Sequence, residues 1–416
     1  MKNIIVAGLI LLSVARPASA QVADTTTLGT VVVTATKSPA EKASLTQAVT
    51  VIRGDDIREQ GIARVSDALR TVPGVAIAQN GSIGSVNTLF LRGGESRYTK
   101  VLIDGVAVNA PGGFFDFSHL STDNIDRIEI VRGASSVVHG ADAMSGVIQI
   151  FTRQGSGPLA FRADVRAGTN ATREASVESA GALGRARFSL GASADRTDGI
   201  YSFNNNYYNG TLSGSAGYSP VNGSDVVVSA RYGASEFHYP TDFSGAPVDS
   251  NAYRVQHRLT VGFDARTRIS DFLIARGRAG TNEVSDLTED IGTPFLSNEQ
   301  RVSSSLSRNK RRKAEIGVTA ELPLQSSLSA GLEYEWERER SVNEDAPIGG
   351  DATPLSSFGA TRNTRSAYGE LTGSIRDRAS YTVSARLDDN SDYGTHSTYR
   401  AGTNIPVTST TRLRAS

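Results

Sequence analysis

Side chains able to do chemistry are few in this sequence, and their spacing speaks for binding more than for catalysis. The five histidines, His119, His139, His238, His257 and His396, show no metal-ligand spacing, so no zinc or iron centre is expected. The absence of cysteine excludes a thiol nucleophile, a Cys-ligated zinc and a disulfide framework. Serine, histidine and aspartate are all present. However, no Gly-x-Ser-x-Gly elbow stands between a strand and a helix, and no Walker-type Gly-Lys-Ser/Thr loop occurs. No enzyme is expected. Two loops read instead as binding surface. Asn80-Gly81-Ser82-Ile83-Gly84-Ser85-Val86-Asn87 is small and polar, which suits backbone contact with a large ligand. Ala110-Pro111-Gly112-Gly113-Phe114-Phe115-Asp116-Phe117 sets an aromatic cluster in a flexible loop, whose rings read either as exposed beside glycine or as part of the domain core. Lys310-Arg311-Arg312-Lys313 is a basic run at a loop-to-strand joint. It reads first as a solvated loop end, with contact to lipopolysaccharide phosphates as the other reading.

Composition bounds the elements that must carry these loops. The 43 basic side chains balance 43 acidic ones, which argues against a nucleic-acid partner. Apart from the N-terminus, no apolar run reaches the ~18 residues of a membrane helix. That leaves a soluble protein and an outer-membrane β-barrel both open. Met1 and Lys2, an apolar stretch over 4–14 and Ala18-Ser19-Ala20 read as a secretory signal peptide over 1–20. Cleavage after Ala20 starts the mature chain at Gln21, outside the cytoplasm.

The rest has two grammars. Residues 37–153 read as an α+β domain, with a helical turn at 55–61 and a short helix at 65–72 ended by Pro73-Gly74. Strands are expected over 88–91, 100–103, 106–109, 125–131 and 147–152, with Asp104-Gly105 as a hairpin turn. After Gly155-Ser156-Gly157-Pro158 helical periodicity disappears. Runs at 185–195, 258–266, 314–322, 328–336 and 381–388 alternate apolar and polar residues for about ten positions, the length of a tilted strand crossing a bilayer. Short joints at 181–184, 268–271, 323–327 and 376–379 alternate with long polar segments at 196–210, 234–256, 281–312 and 338–365. Short turns on one rim and long loops on the other are the signature of an outer-membrane barrel, and a soluble sandwich has no reason for that asymmetry. Tyr218, Tyr232, Tyr334 and Trp336 fall near strand ends on the apolar face, as interfacial aromatics should. The expected fold is a membrane all-β antiparallel barrel with an N-terminal α+β domain. The barrel must close, because an open edge in lipid leaves backbone groups unpaired.

Several motifs follow one another through the N-terminal half: Val72-Pro73-Gly74-Val75, Leu91-Arg92-Gly93, Val101-Leu102-Ile103-Asp104-Gly105-Val106, Ile128-Glu129-Ile130-Val131-Arg132-Gly133, and the pattern over 136–150. In order and spacing they resemble the plug signatures of TonB-dependent outer-membrane receptors, most closely the cobalamin (vitamin B12) receptor branch. Thr30, Val31, Val32, Val33, Thr34 and Ala35 look like a TonB box, and 385–391 resembles a barrel segment of the cobalamin receptors. The resemblance implies a barrel of about 22 strands filled by the plug. It implies TonB-dependent active transport of cobalamin or a related corrinoid across the outer membrane of a Gram-negative bacterium. The partners would be the TonB energy-transducing complex, a corrinoid or metal-chelate ligand and outer-membrane lipid, with a monomer once the barrel is complete. A ferric siderophore or haem receptor is the alternative within the family. An outer-membrane enzyme or a passive porin is the alternative outside it, and box plus plug argue against both because a porin needs no energy coupling. Signal peptide 1–20, box segment 21–36, plug 37–153 and barrel 158–416 are the expected divisions. About nine residues separate Gln21 from the box, which leaves no room for an extra signalling domain.

The implied site residues follow. A Val-rich extended segment can add as a strand to a partner's sheet edge. The resemblance makes the two loops apical substrate loops, with Asn80, Ser82, Ser85, Asn87, Phe114, Phe115, Asp116 and Phe117 as contacts. Arg92, Glu129, Arg132 and Arg153 are expected on plug surfaces facing the barrel wall, where paired charges can hold a plug that must move. Calcium occurs in loops of the cobalamin branch, and Asp242 and Asp249 fall in a similar segment. The other loop offers Asn204, Asn205 and Asn206 where carboxylates would be expected, and an oxygen cage needs several aspartates. No cofactor is required. The 259 residues from Pro158 to Ser416 hold about a dozen strands, fewer than a closed barrel of the family needs, so a fragment, an interrupted gene or a split barrel is expected.

Overall fold

The computed structural model describes residues 31–242, 245–292, 300–348, 350–375, 378–408 and 411–416. The expected signal peptide and Thr30 of the expected box lie outside the described residues. The N-terminal domain begins with two short strands, β1 (Val31–Val32) and β2 (Ala40–Glu41), paired antiparallel. Then come β3 (Ala48–Arg53), α1 (Gly54–Glu59), α2 (Val65–Arg70), β4 (Val75–Gln79), β5 (Asn87–Leu91), β6 (Thr99–Ile103), β7 (Val106–Ala107), β8 (Ile125–Arg132), α3 (Ser136–His139) and β9 (Gly146–Thr152). Five strands form one sheet in the order β3-β8-β9-β6-β7, with β6 and β9 parallel and the other pairs antiparallel. Asp104 (φ 47°) and Gly105 (φ 84°) both take positive φ between β6 and β7, the backbone of the type I′ turn that Asp-Gly favours.

Period-two alternation gives this sheet two different faces. Val101, Ile103, Ile128, Ile130, Ile148 and Ile150 point to one side, where Ile57 of α1 and Val65, Ala68 and Leu69 of α2 cover them. Leu102, Val131 and Val147 point to the other, where Val32, Ala35, Leu45 and Val49 cover them. That second face also carries Lys100, Glu129 and Gln149, three polar side chains buried among apolar neighbours. The N-terminal segment lies on it.

The remainder is a thirteen-stranded antiparallel meander among the described residues: β10 (Ala160–Ala167), β11 (Arg173–Leu183), β12 (Ala186–Thr197), β13 (Tyr207–Tyr218), β14 (Asp225–His238), β15 (Tyr253–Ser270), β16 (Leu273–Gly292), β17 (Arg301–Leu322), β18 (Ser326–Pro347), β19 (Thr353–Ile375), β20 (Ala379–Asn390), β21 (Gly394–Pro406) and β22 (Arg412–Ala415). Its faces are inverted relative to a soluble sheet. On β13, Asn209, Thr211, Ser213 and Ser215 are buried against the plug, while Leu212 and Tyr218 face outward. On β20, Thr382, Ser384 and Arg386 are buried, while Val383 and Leu387 face outward. Polar inside and apolar outside is the pattern of a wall whose solvent is lipid. Among the described residues no helix is long and apolar enough to cross a membrane, so crossing falls to the strands.

The long-loop expectation needs correction at 281–312 and 338–365. There β16 to β19 continue as paired strands of 20 to 23 residues, with register unbroken to Gly292↔Arg301 and Arg301↔Pro347. Ten residues suffice to cross the bilayer, so these hairpins run on beyond it. Serine-rich and charged sequence there shows no apolar alternation, yet the backbone ladder needs none.

Candidate functional site: the N-terminal segment between plug and wall

Glu129 on β8 and Gln149 on β9 are direct cross-strand neighbours on the polar-bearing face of the plug sheet. They receive the N-terminal segment. The Thr34 hydroxyl donates to Glu129 Oε2 at 2.6 Å and lies 3.2 Å from Gln149 Oε1. The backbone N–H groups of Val33 and Thr34 donate to the same Glu129 oxygen, each at 3.1 Å. Arg127 Nε donates to the other oxygen at 2.8 Å. On the opposite side of Thr34, His139 Nε2 donates to the Thr34 carbonyl at 2.7 Å. Burial pushes the His139 imidazole down to about 3, so the ring is neutral and carries its proton on Nε2. Val32 is buried, whereas Val31 is half exposed.

Three residues on, the same segment reaches the wall. Lys37 Nζ sits 2.6 Å from Glu333 Oε1 on β18 and 3.1 Å from Glu315 Oε1 on β17. Its backbone N–H donates to Glu370 Oε1 on β19 at 2.6 Å, and its ammonium lies 3.7 Å from the Tyr368 ring centroid. Burial lowers the Lys37 ammonium, and the two carboxylates oppose that shift. Residues 34–37 therefore tie the plug sheet to three strands of the wall.

Elsewhere plug and wall meet in large part through ion pairs. Arg64 faces Glu174 and Asp195 at 3.4 Å each, Arg153 meets Glu178 at 3.2 Å, and Asp142 meets Arg311 at 3.2 Å. Asp123 pairs with Arg231 at 3.0 Å, and Asp116 pairs with Arg254 at 3.0 Å. A cavity of about 540 Å³ lies between the plug sheet and the wall, lined among others by Lys37, Lys100, Asp104, Arg127, Lys313 and Glu315. Of the four charges expected to face the wall, Arg153 does so. Glu129 does not, because it is buried under the N-terminal segment. Arg132 bonds within the plug, to the Pro73 carbonyl and the Thr50 hydroxyl at 2.8 Å each, and Arg92 is exposed.

The apical loops are tucked in more than their composition suggests. Ser82 is buried and accepts from Asn205 Nδ2 at 2.6 Å, Ser85 donates to the Ser82 carbonyl, and Asn87 donates its N–H to Asp116. Gly84, at φ 96°, brings its Cα against Tyr207 and Phe237 of the wall, where an added Cβ would lie 2.4 Å from a ring carbon. Phe115 and Phe117 stack edge-on at 4.7 Å inside the plug core, and Asp116 is buried in its ion pair. Asn80 and Phe114 are the two of these eight that face solvent.

The two loop aspartates also serve their own loop. Asp242 Oδ1 accepts the Ala246 N–H, and Asp249 Oδ1 accepts the N–H groups of Asn251 and Ala252. Asn204 cross-links loops, its Nδ2 donating to the Tyr239 and Ala252 carbonyls, and Asn205 closes its own loop, its Oδ1 accepting the N–H groups of Ile200 and Tyr201. Among the described residues no group of three Asp, Glu or His side chains is placed to hold a metal ion. This donor set does not fit a calcium cage, which asks for six to eight oxygens.

Glu129, Gln149, His139 and Lys37 were not singled out as partners of the box. The signal was present for two of them: a carboxylate and an amide stand at matching positions between isoleucines, in Ile128-Glu129-Ile130 and Ile148-Gln149-Ile150.

Residues 41–147 match the family model described as TonB-dependent Receptor Plug Domain. Two proteins named Vitamin B12 transporter BtuB, from Vibrio vulnificus strains CMCP6 and YJ016, are 24% and 26% identical over 406 and 386 residues. Those alignments cover 93% and 90% of this chain but 62% and 59% of the relatives, so the chain spans about 60% of their length. The ferripyoverdine receptor of the Pseudomonas aeruginosa outer membrane, solved with ferripyoverdine, superposes with a TM-score of 0.72 at 14% identity, over 91% of this chain and 57% of that one. That likeness speaks for the fold. Plug, inverted-face antiparallel wall and relatives together place this chain in the outer membrane, with a TonB-dependent receptor plug domain over 41–147 and a likeness to such receptors along most of its length.

Proposed function

We propose that this chain serves active uptake of a bulky, scarce ligand across the outer membrane, driven through TonB. The carrying observation is the double grip on residues 34–37. Thr34 is held by the plug sheet and Lys37 by the wall, so a pull on Val31 to Val33 is carried first to Thr34 and then to Lys37. A partner strand that pairs with this Val-rich backbone must first displace the β1–β2 pair and lift Thr34 from Glu129. The ligand we favour is a corrinoid, on the strength of the two relatives named as vitamin B12 transporters. A ferric chelate is the second reading, favoured by the fold neighbour solved with ferripyoverdine. Asn80 and Phe114 are the plug residues offered as ligand contacts.

Uptake of labelled cobalamin by cells with and without TonB tests this. TonB-dependent accumulation is expected, and equal uptake in both strains overturns the active-transport reading. Binding of an iron chelate instead moves the ligand assignment. Val32→Pro should abolish uptake and spare ligand binding, because proline removes an N–H from the strand a partner must pair with.

A further inference from the structure

The outward face of β17 and β18 bears a cluster of cations that the plug does not use. Strand parity splits the basic run: Arg311 and Lys313 turn inward to Glu337 and Glu333, while Lys310 and Arg312 turn toward the lipid side. Outward on β18 come Leu328, Leu332 and Tyr334, then Trp336, then Arg338 and Arg340. The register sets Arg312 opposite Trp336, Lys310 opposite Arg338 and Arg308 opposite Arg340. Arg308, Arg312, Arg338 and Arg340 are exposed, and among the described residues none of the four forms an ion pair. Lys310 pairs with Glu283 on β16, and Arg312 rests over the Trp336 ring at 5.5 Å. The patch ends at Glu283 on one side and at Arg365 and Asp389, paired across β19 and β20, on the other.

Depth follows from strand geometry. Trp336 is ten residues beyond Ser326, where β18 leaves its short turn. That is ~33 Å along the strand at ~3.3 Å per residue, or ~25 Å along the bilayer normal at a ~40° tilt. This equals the height of the apolar belt, so Trp336 stands at the interface away from the short turns. Those turns mark the periplasmic rim, which puts Arg338 and Arg340 at the headgroup level of the outer leaflet.

We propose that Arg308, Lys310, Arg312, Arg338 and Arg340 form a binding site for the phosphates of a phosphorylated glycolipid in the outer leaflet. Guanidinium forks match phosphate oxygens, and a cluster of this size beside a bilayer selects an anionic lipid headgroup. Leu332, Tyr334 and the Trp336 ring lie directly below, against the acyl chains of the same molecule. The site is independent of the transported ligand and needs only the outer-membrane placement.

Native mass spectrometry of the detergent-purified full chain, mixed with lipid A or with phosphatidylethanolamine, tests it. The unmodified protein should retain lipid A in preference to phosphatidylethanolamine. Arg338→Glu with Arg340→Glu should cut lipid A retention at least about tenfold, and Arg338→Lys with Arg340→Lys should keep most of it, since a lysine still offers a charge to phosphate. Unchanged retention in the Glu variant overturns the proposal. So does displacement by inorganic phosphate with no preference between the two lipids. Folding is followed by heat-dependent gel mobility. If the Glu variant does not fold, the Gln pair at the same positions decides, and full retention there overturns the site.

Discussion

Thr34→Val is the sharpest perturbation of the proposed coupling segment. Valine keeps the volume and branching of threonine, so β1 and its apolar neighbours are left alone. What disappears is one hydroxyl, the donor to Glu129 Oε2 at 2.6 Å. Glu129 keeps the N–H groups of Val33 and Thr34 and its contact with Arg127, so the variant still docks. A hydrogen bond to a charged acceptor contributes about 1.5–3 kcal/mol, which shifts the docked–undocked equilibrium roughly 10- to 150-fold. The chain has no cysteine, so Val32→Cys supplies a single thiol at a buried position. Its maleimide labelling rate reports the population in which the segment has lifted. Thr34→Val should raise that rate by the same factor. It should also tighten binding of a TonB C-terminal fragment until the segment is mostly free, because a partner that selects the undocked state gains from its population. A labelling rate within twofold of the unmodified segment would refute the Glu129 clamp.

His139 makes docking sensitive to acid. Its imidazole is neutral when buried, with a pKa near 3, against about 6.5 when solvated, so the open state binds more protons between those values. Docking is thus fully stable above pH 6.5 and weakens as pH falls toward 3. The loss by pH 5 is about 2 kcal/mol, and Val32→Cys labelling should accelerate on acidification while His139→Gln removes that dependence. Gly84→Ala should lower plug stability by about 2–4 kcal/mol, since a Cβ there meets the Tyr207 ring and φ is 96°. An unchanged melting temperature contradicts that contact. Phe114→Ala should weaken ligand binding with little change in stability, whereas Phe117→Ala should cost about 3–5 kcal/mol of stability as a core truncation. Equal effects of the two on melting would contradict the division into exposed and buried rings.

Local signals carried much of the fold. Asp104-Gly105, Gly61 and Pro73-Gly74 are chain punctuation whose geometry depends on the residues themselves, and the turns and short helices stand where they point. β3 and β4 were not legible. Ala48-Val49-Thr50-Val51-Ile52 has no glycine, proline, asparagine or aspartate just ahead of it and runs straight into α1, and Val75-Ala76-Ile77-Ala78 is a surface hairpin strand with no polar alternation. The ends of β16 to β19 were missed because outside the bilayer nothing selects an apolar face. For the site, the Val-rich segment over 31–35 could be singled out by its resemblance to a TonB box, but its partners could not. Glu129 and His139 are 95 and 105 residues away from Thr34, and no local pattern encodes which carboxylate a threonine will meet. The aromatic loop misled for a related reason. Glycine beside phenylalanine permits exposure, yet Phe115 and Phe117 had a core to join and Phe114 did not.

The chemistry of the plug–wall contact suits a joint that must open. An apolar interface loses about 25 cal/mol for each Å² of surface returned to water, with nothing in return. An ion pair such as Asp123–Arg231 or Asp142–Arg311 regains hydration on both sides when it parts, so its net cost of opening is far smaller than its attraction. Lys313 and Arg386 add to this by staying with Glu333 when Lys37 leaves, so that carboxylate is not stranded. The spacing along the segment then sets an order. Tension applied at Val31 reaches Thr34 three residues before Lys37, a stretch that spans at most ~10 Å when fully extended. The Glu129 clamp on the plug therefore opens first, and the wall pair at Glu333 yields only after the segment is drawn taut.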